Sequence, residues 1–305
     1  MSMVRAATRS SPLARWQTEY IASLIHTCTD HVVDFVYVDT LGDRTQALGT
    51  PLHQLGGQGV FVKEVQAAVL GGDADIAVHS AKDLPSQTAD GLVLAGIATR
   101  GDVRDVLIGG TLDSLRKGAT VGTSSVRRAA QLLALRPDLE IRTIRGNVGT
   151  RIARVGELDA VVLAAAPLTR LSILEAVLDR HVVEWLDTER MLPMVGQGAI
   201  AVECRAGDDP TAGLLSAITN ETSAREVKAE RAFLERLGGG CDLPVGALAV
   251  CLNGSASISM EALVASFDGV TIIRRSGTGD DPAILGSALA AEILDAGGLA
   301  LLART

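Results

Sequence analysis

The chain has 305 residues and a formal net charge of −8, and its composition is 47 % hydrophobic but only 3 % aromatic. The acidic balance argues against a nucleic-acid partner, since affinity for nucleic acid comes from neutralising phosphates. The scarcity of aromatic residues argues against stacking on bases. No run of about 18 apolar residues occurs, so we expect no membrane span and no membrane partner.

The first residues, Met1–Arg5, pass directly into patterned sequence, without a charged stretch followed by an apolar one. We therefore expect no secretion signal. The four cysteines are widely spaced and include no Cys-x-x-Cys pair, which predicts free thiols in a reducing compartment. These features predict a cytoplasmic protein. The histidines show no ligand spacing, so we expect no metal site.

The first two-thirds of the chain alternates short apolar runs with amphipathic segments. The apolar runs predict strands at Val4–Ala7, Val32–Tyr37, Asp75–His79, Leu92–Ile97, Thr120–Gly122, Glu140–Ile144 and Ala160–Ala164. The amphipathic segments predict helices at Pro12–Ile25, Phe61–Leu70, Val126–Leu135 and Val148–Val155. Strands that alternate with helices predict parallel sheets covered on both faces. Two such series in tandem predict two similar α/β domains that flank a cleft.

From about Thr219 the pattern changes. Two helices enclose three sequential strands, with the helices at Ser223–Leu237 and Pro282–Leu294 and the strands at Val245–Leu252, Ser257–Ser266 and Val270–Arg275. The hairpin signal Asp268-Gly269 supports a small C-terminal α+β domain. We expect residues 1–98 with 196–217 to form the first domain, residues 99–195 the second, and residues 218–305 the third.

The stretch Thr40–Gly59 has no clear period and is rich in glycine. A connection of this length inside a compact domain is usually a functional lid or a mobile segment. It contains Gly56-Gly57-Gln58-Gly59 but lacks the Gly-Lys-Ser/Thr of a phosphate loop, so nucleotide binding is disfavoured.

Arginine recurs where a predicted helix begins, in the segments Arg9–Pro12, Gly122–Arg128 and Arg145–Arg151. Each segment follows a predicted strand, and open α/β sheets bind ligands at the carboxyl ends of their strands. A helix N-terminus already carries partial positive charge, so added cations are unfavourable there unless an anion binds between them. For any one segment, the alternative to anion binding is an ordinary capped helix start whose arginines are solvated. Three such segments favour a site for a small, multiply charged anion, because arginine grips carboxylates with two parallel hydrogen bonds.

The segment His79–Pro85 places Lys82 and Asp83 just after a predicted strand, on the same ligand-facing rim. A carboxylate near several cations stays ionised and can stabilise a developing cation or relay a proton. The alternative is a surface ion pair in a turn.

The segment Gly238–Cys241 sets three glycines beside a thiol. Glycine removes side-chain bulk and loosens the backbone, so the cysteine could reach a ligand as a nucleophile or covalent anchor. Neighbouring arginines would favour its thiolate. The alternative is a small buried hydrophobic residue, which is the commoner role of a free cysteine.

Taken together, these segments resemble one family, the porphobilinogen deaminases. The matching segments follow the order and spacing of that family from residue 4 to about 250; they are Ala7–Ala14, His79–Pro85, Gly122–Arg128, Arg145–Arg151, Pro193–Gly198, Glu203–Arg205 and Gly239–Cys241. The remainder of the chain is similar only in general character.

The resemblance implies a transferase of tetrapyrrole biosynthesis. Such an enzyme condenses four porphobilinogen molecules head to tail, with loss of ammonia, to give the linear tetrapyrrole hydroxymethylbilane. The resemblance also implies a dipyrromethane cofactor held by a thioether at Cys241, and it implies that Asp83 is the catalytic carboxylate. For the cofactor it implies the ligands Arg9, Ser11, Lys82, Thr123, Ser124, Arg127, Arg128 and Arg145. For the substrate it implies Arg9, Gln17, Arg145, Arg151 and Arg170.

The chain departs from the family at several positions. Gln54 and Gln58 stand where family members often have lysines, and Pro167 stands where glycine is usual and removes a backbone N–H. The resemblance implies two periplasmic-binding-protein-like α/β domains that flank a cleft. A non-catalytic solute-binding protein for a small polycarboxylate is therefore the alternative function, because periplasmic binding proteins share this architecture and fold does not dictate function. The absence of a long apolar stripe favours a monomer.

Overall fold

The computed structural model describes residues 3–41, 59, 61–239, 242–253 and 255–303. The strands of this part of the chain are β1 (Met3–Arg9), β2 (Val32–Val38), β3 (Ile76–Ser80), β4 (Leu92–Ile97), β5 (Asp105–Ile108), β6 (Thr120–Gly122), β7 (Glu140–Arg142), β8 (Ala160–Ala164), β9 (Val183–Leu186), β10 (Ile200–Arg205), β11 (Val245–Cys251), β12 (Ile258–Ala265) and β13 (Ile272–Gly279).

The helices of the same residues are α1 (Pro12–Thr29), α2 (Lys63–Leu70), α3 (Val126–Leu135), α4 (Val148–Ile152), α5 (Ala166–Arg170), α6 (Leu174–Leu178), α7 (Asp209–Ala217), α8 (Glu221–Arg236), α9 (Pro282–Asp295) and α10 (Gly298–Leu302). A short 3₁₀ turn, Ala81–Asp83, follows β3. None of the described helices is both long enough and apolar enough to cross a bilayer.

The chain separates into two compact units. The first comprises Met1–Gly101 and Gly198–Val227, and the second comprises Asp102–Gln197 and Lys228–Thr305.

The first unit is built on a five-stranded sheet with the order β2-β1-β3-β10-β4. Strand β1 pairs in parallel with β2 and β3, as expected. Strand β10 runs antiparallel to β3 and β4, so the prediction of a purely parallel sheet is wrong here. The reason is that β10 begins just after the chain returns from the second unit, and it enters the sheet from the opposite direction.

Helices cover both faces of this sheet, as predicted. Successive strand residues point to opposite faces. Ala6 of β1 therefore packs in the cluster that contains Ile21 of α1. Its neighbour Ala7 packs in the cluster that contains Val65 and Val69 of α2. Burial of these apolar side chains on both faces holds the ends of β1 and β3 in fixed positions.

The second unit contains a five-stranded sheet with the order β7-β6-β8-β5-β9. Strand β6 pairs in parallel with β7 and β8, whereas β5 is antiparallel to β8 and β9. The expectation of an all-parallel sheet is wrong for β5 as well. Strand β5 is the first strand after the chain passes from the first unit to the second, just as β10 is the first strand after it returns. Each sheet therefore contains one antiparallel strand, at the point where the chain enters that unit. The two sheets are thus similar, and the α/β class is confirmed.

The C-terminal residues form an antiparallel sheet with the order β11-β12-β13. One cluster of buried side chains joins this sheet to α8 and α9, and it contains Phe233, Ala247, Met260 and Leu289. This confirms the small α+β arrangement.

Two local differences have simple causes. The strand predicted to reach Ile144 ends at Arg142, because the carbonyl of Ile144 accepts a hydrogen bond from the hydroxyl of Ser124 instead of a neighbouring strand. Pro167 lies in the first turn of α5. A backbone N–H at this position has no acceptor within the helix, so proline costs no helical hydrogen bond there.

Candidate active site

A pocket in the first unit lies at the carboxyl ends of β1 and β3. Four predicted site residues line it, namely Arg9, Ser11, Gln17 and Asp83. The order of these strands explains the arrangement, because parallel neighbours end at the same edge of a sheet. The structure therefore brings together the first arginine segment and the candidate catalytic carboxylate.

The start of α1 forms one wall of this pocket. Ser11 is the N-cap of α1, and its hydroxyl accepts a hydrogen bond from the N–H of Ala14 at 3.4 Å. Pro12 occupies the first turn, as the sequence predicts. The remaining free N–H groups and the helix dipole make this end favourable for an anion.

Arg9 lies over an aromatic ring. Its guanidinium carbon is 4.1 Å from the ring centroid of Phe61, which is a cation–π distance. Phe61 also lines the pocket, and sequence reasoning missed this role because Phe61 was placed within a predicted helix. Its signal was weak: one aromatic residue two positions after the Thr40–Gly59 stretch, in a chain with few aromatics.

Gln17 is buried within the pocket wall. Its side-chain amide donates a hydrogen bond of 2.7 Å to the hydroxyl of Ser80, the last residue of β3. Ser80 immediately precedes the turn that carries Lys82 and Asp83, so this bond ties α1 to that turn.

Lys82 and Asp83 lie in the 3₁₀ turn, and both are half-buried. The turn is held by two backbone bonds: the N–H of Ala81 donates to the carbonyl of Ala199 at 3.0 Å, and that of Leu84 donates to Ala81 at 3.3 Å. Asp83 lines the pocket, while Lys82 is not among the lining residues. The predicted position on the ligand-facing rim is thus confirmed for Asp83.

In the second unit, the turn between β6 and α3 carries three hydroxyl residues with different contacts. Ser125 is the N-cap of α3 and accepts from the N–H of Arg128 at 3.4 Å. Thr123 accepts from the N–H of Ser125 at 3.1 Å. Ser124 donates to the carbonyl of Ile144 and so joins this turn to the next arginine segment. Ser124 and Ser125 were both candidates for the N-cap, and Ser125 takes that position.

Arg127 and Arg128 are buried rather than solvated, so the alternative of exposed capping arginines is wrong for them. Their exposed fractions are 2 % and 6 %, and both contact the fully buried carboxylate of Asp105. Arg127 donates to one carboxylate oxygen at 2.6 Å, and Arg128 donates to the other through two nitrogens at 3.0 and 2.7 Å. Sequence reasoning missed Asp105; its signal was a single acidic residue at the head of the apolar run 105–108.

Electrostatics explains why this cluster is stable. Burial by itself would raise the pKa of Asp105, but the charges of Arg127 and Arg128 outweigh burial and hold that pKa well below its usual range. Gln197 also donates to Asp105 at 2.9 Å. Two cations and one anion leave an excess of one positive charge. Within the described residues, the buried Nε of Arg127 has no hydrogen-bond partner.

The third arginine segment follows β7. Asn147 caps α4 by accepting from the N–H of Thr150 at 2.9 Å, as the sequence predicts. Arg151 donates through Nε to the carbonyl of Gly146 at 2.8 Å. The Nη1 atom of Arg145 is buried and makes no hydrogen bond to any described residue. A buried N–H without an acceptor is costly, so these arginine atoms fit a ligand that supplies carboxylate oxygens.

The remaining predicted site residues fall at element ends or outside the described chain. Arg170 is the half-buried last residue of α5. Cys241 and Gly240 lie outside the described residues, as do residues 42–58 with Gln54 and Gln58. Gly238 is described, and its φ of 68° marks it as the left-handed residue that ends α8. The first glycine of the triplet therefore has a structural role. Within the described chain, no group of three or more His, Cys, Asp or Glu side chains could hold a metal ion.

Comparisons with known proteins agree over most of the chain. Residues 4–213 match the family described as "Porphobilinogen deaminase, dipyromethane cofactor binding domain", and residues 224–295 match "Porphobilinogen deaminase, C-terminal domain". A relative from Roseiflexus castenholzii named porphobilinogen deaminase is 47 % identical in an alignment of 304 residues, and the match covers 97 % of each chain.

Solved structures give a weaker similarity. A periplasmic substrate-binding protein of an ABC transporter from Coxiella burnetii is 15 % identical, with coverage of 73 % of this chain and 94 % of that chain and a TM-score of 0.45. A putative lipoprotein from Ruminococcus gnavus is 14 % identical, with coverage of 73 % and 93 % and a TM-score of 0.43. At these values no residue roles carry over.

Proposed function

The chain belongs to the porphobilinogen deaminase family, and we propose that it is a hydroxymethylbilane synthase. It condenses four porphobilinogen molecules head to tail, releases ammonia and yields hydroxymethylbilane. The observation that carries this proposal is the pocket that is lined by Asp83, Arg9 and the start of α1. A pocket that offers both a carboxylate and a cation suits a substrate that bears an ammonium group and two carboxylates.

The chain carries the family's dipyrromethane-binding domain, and we propose that Cys241 anchors this cofactor through a thioether. The bound cofactor supplies the primer on which the product is built. Its carboxylates fit the buried guanidinium atoms of Arg127 and Arg145 that lack a partner among the described residues. Arg128, Thr123 and Ser124 complete this proposed ligand set, together with Arg9, Ser11 and Lys82.

Asp83 acts on the pyrrole that reacts. Its carboxylate accepts hydrogen bonds from pyrrole N–H groups and stabilises the positive charge that grows on the ring as ammonia leaves. Its half-buried position keeps the carboxylate accessible to substrate while limiting competition from water.

Arginines provide the binding energy and the orientation. Arg9, Arg145, Arg151 and Arg170 bind the acetate and propionate groups of the substrate, and Gln17 supports the wall behind them. Arg9 is presented at the end of β1 and Arg145 just after β7. Bidentate arginine–carboxylate pairs fix a planar group in one orientation, which is what successive couplings at one site require.

The cellular setting is part of the proposal. We expect a cytoplasmic monomer that works without nucleic acid, membrane or metal. We also propose that residues 1–98 with 196–217, residues 99–195 and residues 218–305 act as three domains, the third of which presents Cys241.

The decisive experiment is an intact mass of the purified protein, with peptide mapping around Cys241. We expect a mass excess of two linked pyrrole units on that residue, and none in Cys241→Ser. The purified protein should also convert porphobilinogen to hydroxymethylbilane. An unmodified thiol that porphobilinogen fails to modify would contradict the proposal and favour the solute-binding alternative, which the family match does not support.

A further inference from the structure

A buried polar cluster lies behind the pocket of the first unit. It consists of His79, Glu203 and Gln66, which are 5 %, 1 % and 5 % exposed. The Nε2 atom of His79 is 3.1 Å from a carboxylate oxygen of Glu203, which is within ion-pair distance, but the angles are not those of a hydrogen bond. The side-chain amide of Gln66 donates to both oxygens of Glu203, at 3.1 and 2.9 Å.

The fold explains why these residues meet. His79 is on β3 and Glu203 on β10, and in this antiparallel pair His79 lies opposite Ala201 while Glu203 lies opposite Ala77. His79 and Glu203 are therefore diagonal neighbours on one face. That face is covered by α2, which supplies Gln66.

Burial of this polar cluster costs folding free energy. A nearly inaccessible carboxylate needs compensating polar contacts. The amide of Gln66 donates to both of its oxygens, and His79 is the basic side chain within ion-pair distance among the described residues. Apolar side chains such as Val65, Val69 and Ala77 surround this region. Because an all-apolar packing is often at least as stable, the cluster is a candidate for a role other than stability.

The connection to Asp83 is short. His79 lines the same pocket as Asp83 and lies four positions before it in the chain. The next residue, Ser80, points to the opposite face and is held by Gln17 at 2.7 Å. The turn that carries Asp83 thus follows two residues with contacts on opposite faces of the sheet: His79 lies within ion-pair distance of Glu203, and Ser80 accepts a hydrogen bond from Gln17.

We propose that Glu203 and Gln66 are positioning residues, which hold the His79 ring in the pocket wall and thereby set the orientation of Asp83 toward the substrate. This inference rests on the proposed function of Asp83 and extends it. Glu203 and Gln66 act through His79 and do not touch substrate themselves.

The test compares Glu203→Gln, which keeps the size of the side chain and removes its charge, with Glu226→Gln. Glu226 is a matched control because its carboxylate also lies within ion-pair distance of a basic side chain of the first unit, Arg100 at 3.6 Å, and it is not among the pocket-lining residues. Each variant is purified with its cofactor, and intact mass confirms equal loading. The readouts are kcat, KM for porphobilinogen and the urea unfolding midpoint.

For Glu203→Gln we expect kcat to fall by about 10- to 100-fold, because a small misplacement of a reacting group has effects of this size. KM should change by less than about threefold, because the arginines that bind the carboxylates are intact. Glu226→Gln should lower the unfolding midpoint and keep kcat within about twofold of the unsubstituted protein. An unchanged kcat in Glu203→Gln would overturn the proposal.

A second comparison tests the route through Asp83. When Glu203→Gln is added to Asp83→Asn, we expect a further loss of less than about twofold, because the two residues act as one unit. A full multiplicative loss would show that Glu203 acts elsewhere and would overturn the proposal.

Nitrogen NMR of histidine-labelled protein gives a readout that needs no turnover. The ring signals of His79 are identified by their absence in His79→Gln. We expect them to shift in both Glu203→Gln and Asp83→Asn, and no shift in Asp83→Asn would contradict the coupling. If the unsubstituted protein consumes no porphobilinogen, the proposed function fails, and the NMR comparison alone then decides whether His79 and Asp83 are coupled.

Discussion

Asp83 occupies a short turn whose backbone is fixed by β3 and by the carbonyl of Ala199. A turn held in this way fixes the backbone position from which the Asp83 side chain extends. This rigidity is useful in catalysis, because a preorganised group needs no rearrangement at the moment of reaction.

Asp83→Asn should retain the dipyrromethane mass and lose at least about 100-fold in kcat, because the amide cannot stabilise a growing positive charge as a carboxylate does. Asp90→Asn is the matched control, since Asp90 is exposed in a turn of the same unit. Steady-state assays with porphobilinogen measure both variants. Near-normal turnover of Asp83→Asn would refute the catalytic role.

Asp105 is a second residue on which the site depends, although it contacts arginines and not the proposed substrate. Asp105→Asn leaves two buried guanidinium groups without their counter-charge, so we expect the free energy of unfolding to fall by about 3 to 5 kcal/mol. Asp102→Asn is the control: its pair with Arg104 at 2.8 Å is partly exposed, and its loss should cost less than about 1 kcal/mol. Urea unfolding at neutral pH measures both.

The stability difference between the unsubstituted chain and Asp105→Asn has a defined pH dependence. The pKa of Asp105 is lowered in the folded chain, so the unfolded chain binds its proton first as the pH falls. The stability difference between the unsubstituted chain and Asp105→Asn should stay constant down to about pH 5. It should then shrink as the pH falls below the unfolded-state pKa of about 3.9. A difference that grows toward acid pH would contradict this assignment.

At the scale of elements, the C-terminal helices α8 and α9 make a close contact. Gly286 lies in α9, and a Cβ built there would be 2.0 Å from the carbonyl oxygen of Ala229 in α8. The two backbones approach so closely that no larger residue fits between them. This contact fixes α8, the helix that leads to the glycines before Cys241.

Gly286→Ala should destabilise the chain by about 1 to 3 kcal/mol, because the clash exceeds the gain in helix propensity. Gly213→Ala in α7 is the matched control, since nothing lies within 4 Å of its Cβ position. There the helical gain should dominate, and stability should rise by up to about 1 kcal/mol. Thermal unfolding compares the two variants, and equal effects would exclude a specific contact at Gly286.

At the scale of the molecule, the chain of 31.7 kDa should be a monomer in solution. The most exposed large apolar residues of the described chain are Val270, Ile284, Leu299 and Met3. Ile284 lies in α9, Leu299 in α10, Met3 at the start of β1, and Val270 before β13. Single exposed apolar residues are ordinary and do not require a partner. Light scattering during gel filtration should return about the mass of one chain, and a mass of twice that value would refute the prediction.

Much of the fold was predictable because its signals are local. Periodic apolar residues identified α1, α3 and the strands β1, β2, β3 and β8, and the capping roles of Ser11 and Asn147 follow from side chains next to the helix start. The antiparallel strands β5 and β10 were missed. A short apolar run carries no information about the direction in which the chain enters a sheet.

By itself, the sequence determined the α/β class, the helix starts that carry arginine and, through the spacing of its motifs, the family. These features depend on residues close together in the chain or on the order of segments along it. Only the tertiary structure decided that Arg127 and Arg128 share the buried carboxylate of Asp105, and that Glu203 lies behind His79. Those pairs join residues 22, 23 and 124 positions apart, and such contacts exist only once sheets have brought distant strands side by side, because a charge pattern alone does not say which partner a buried group will find.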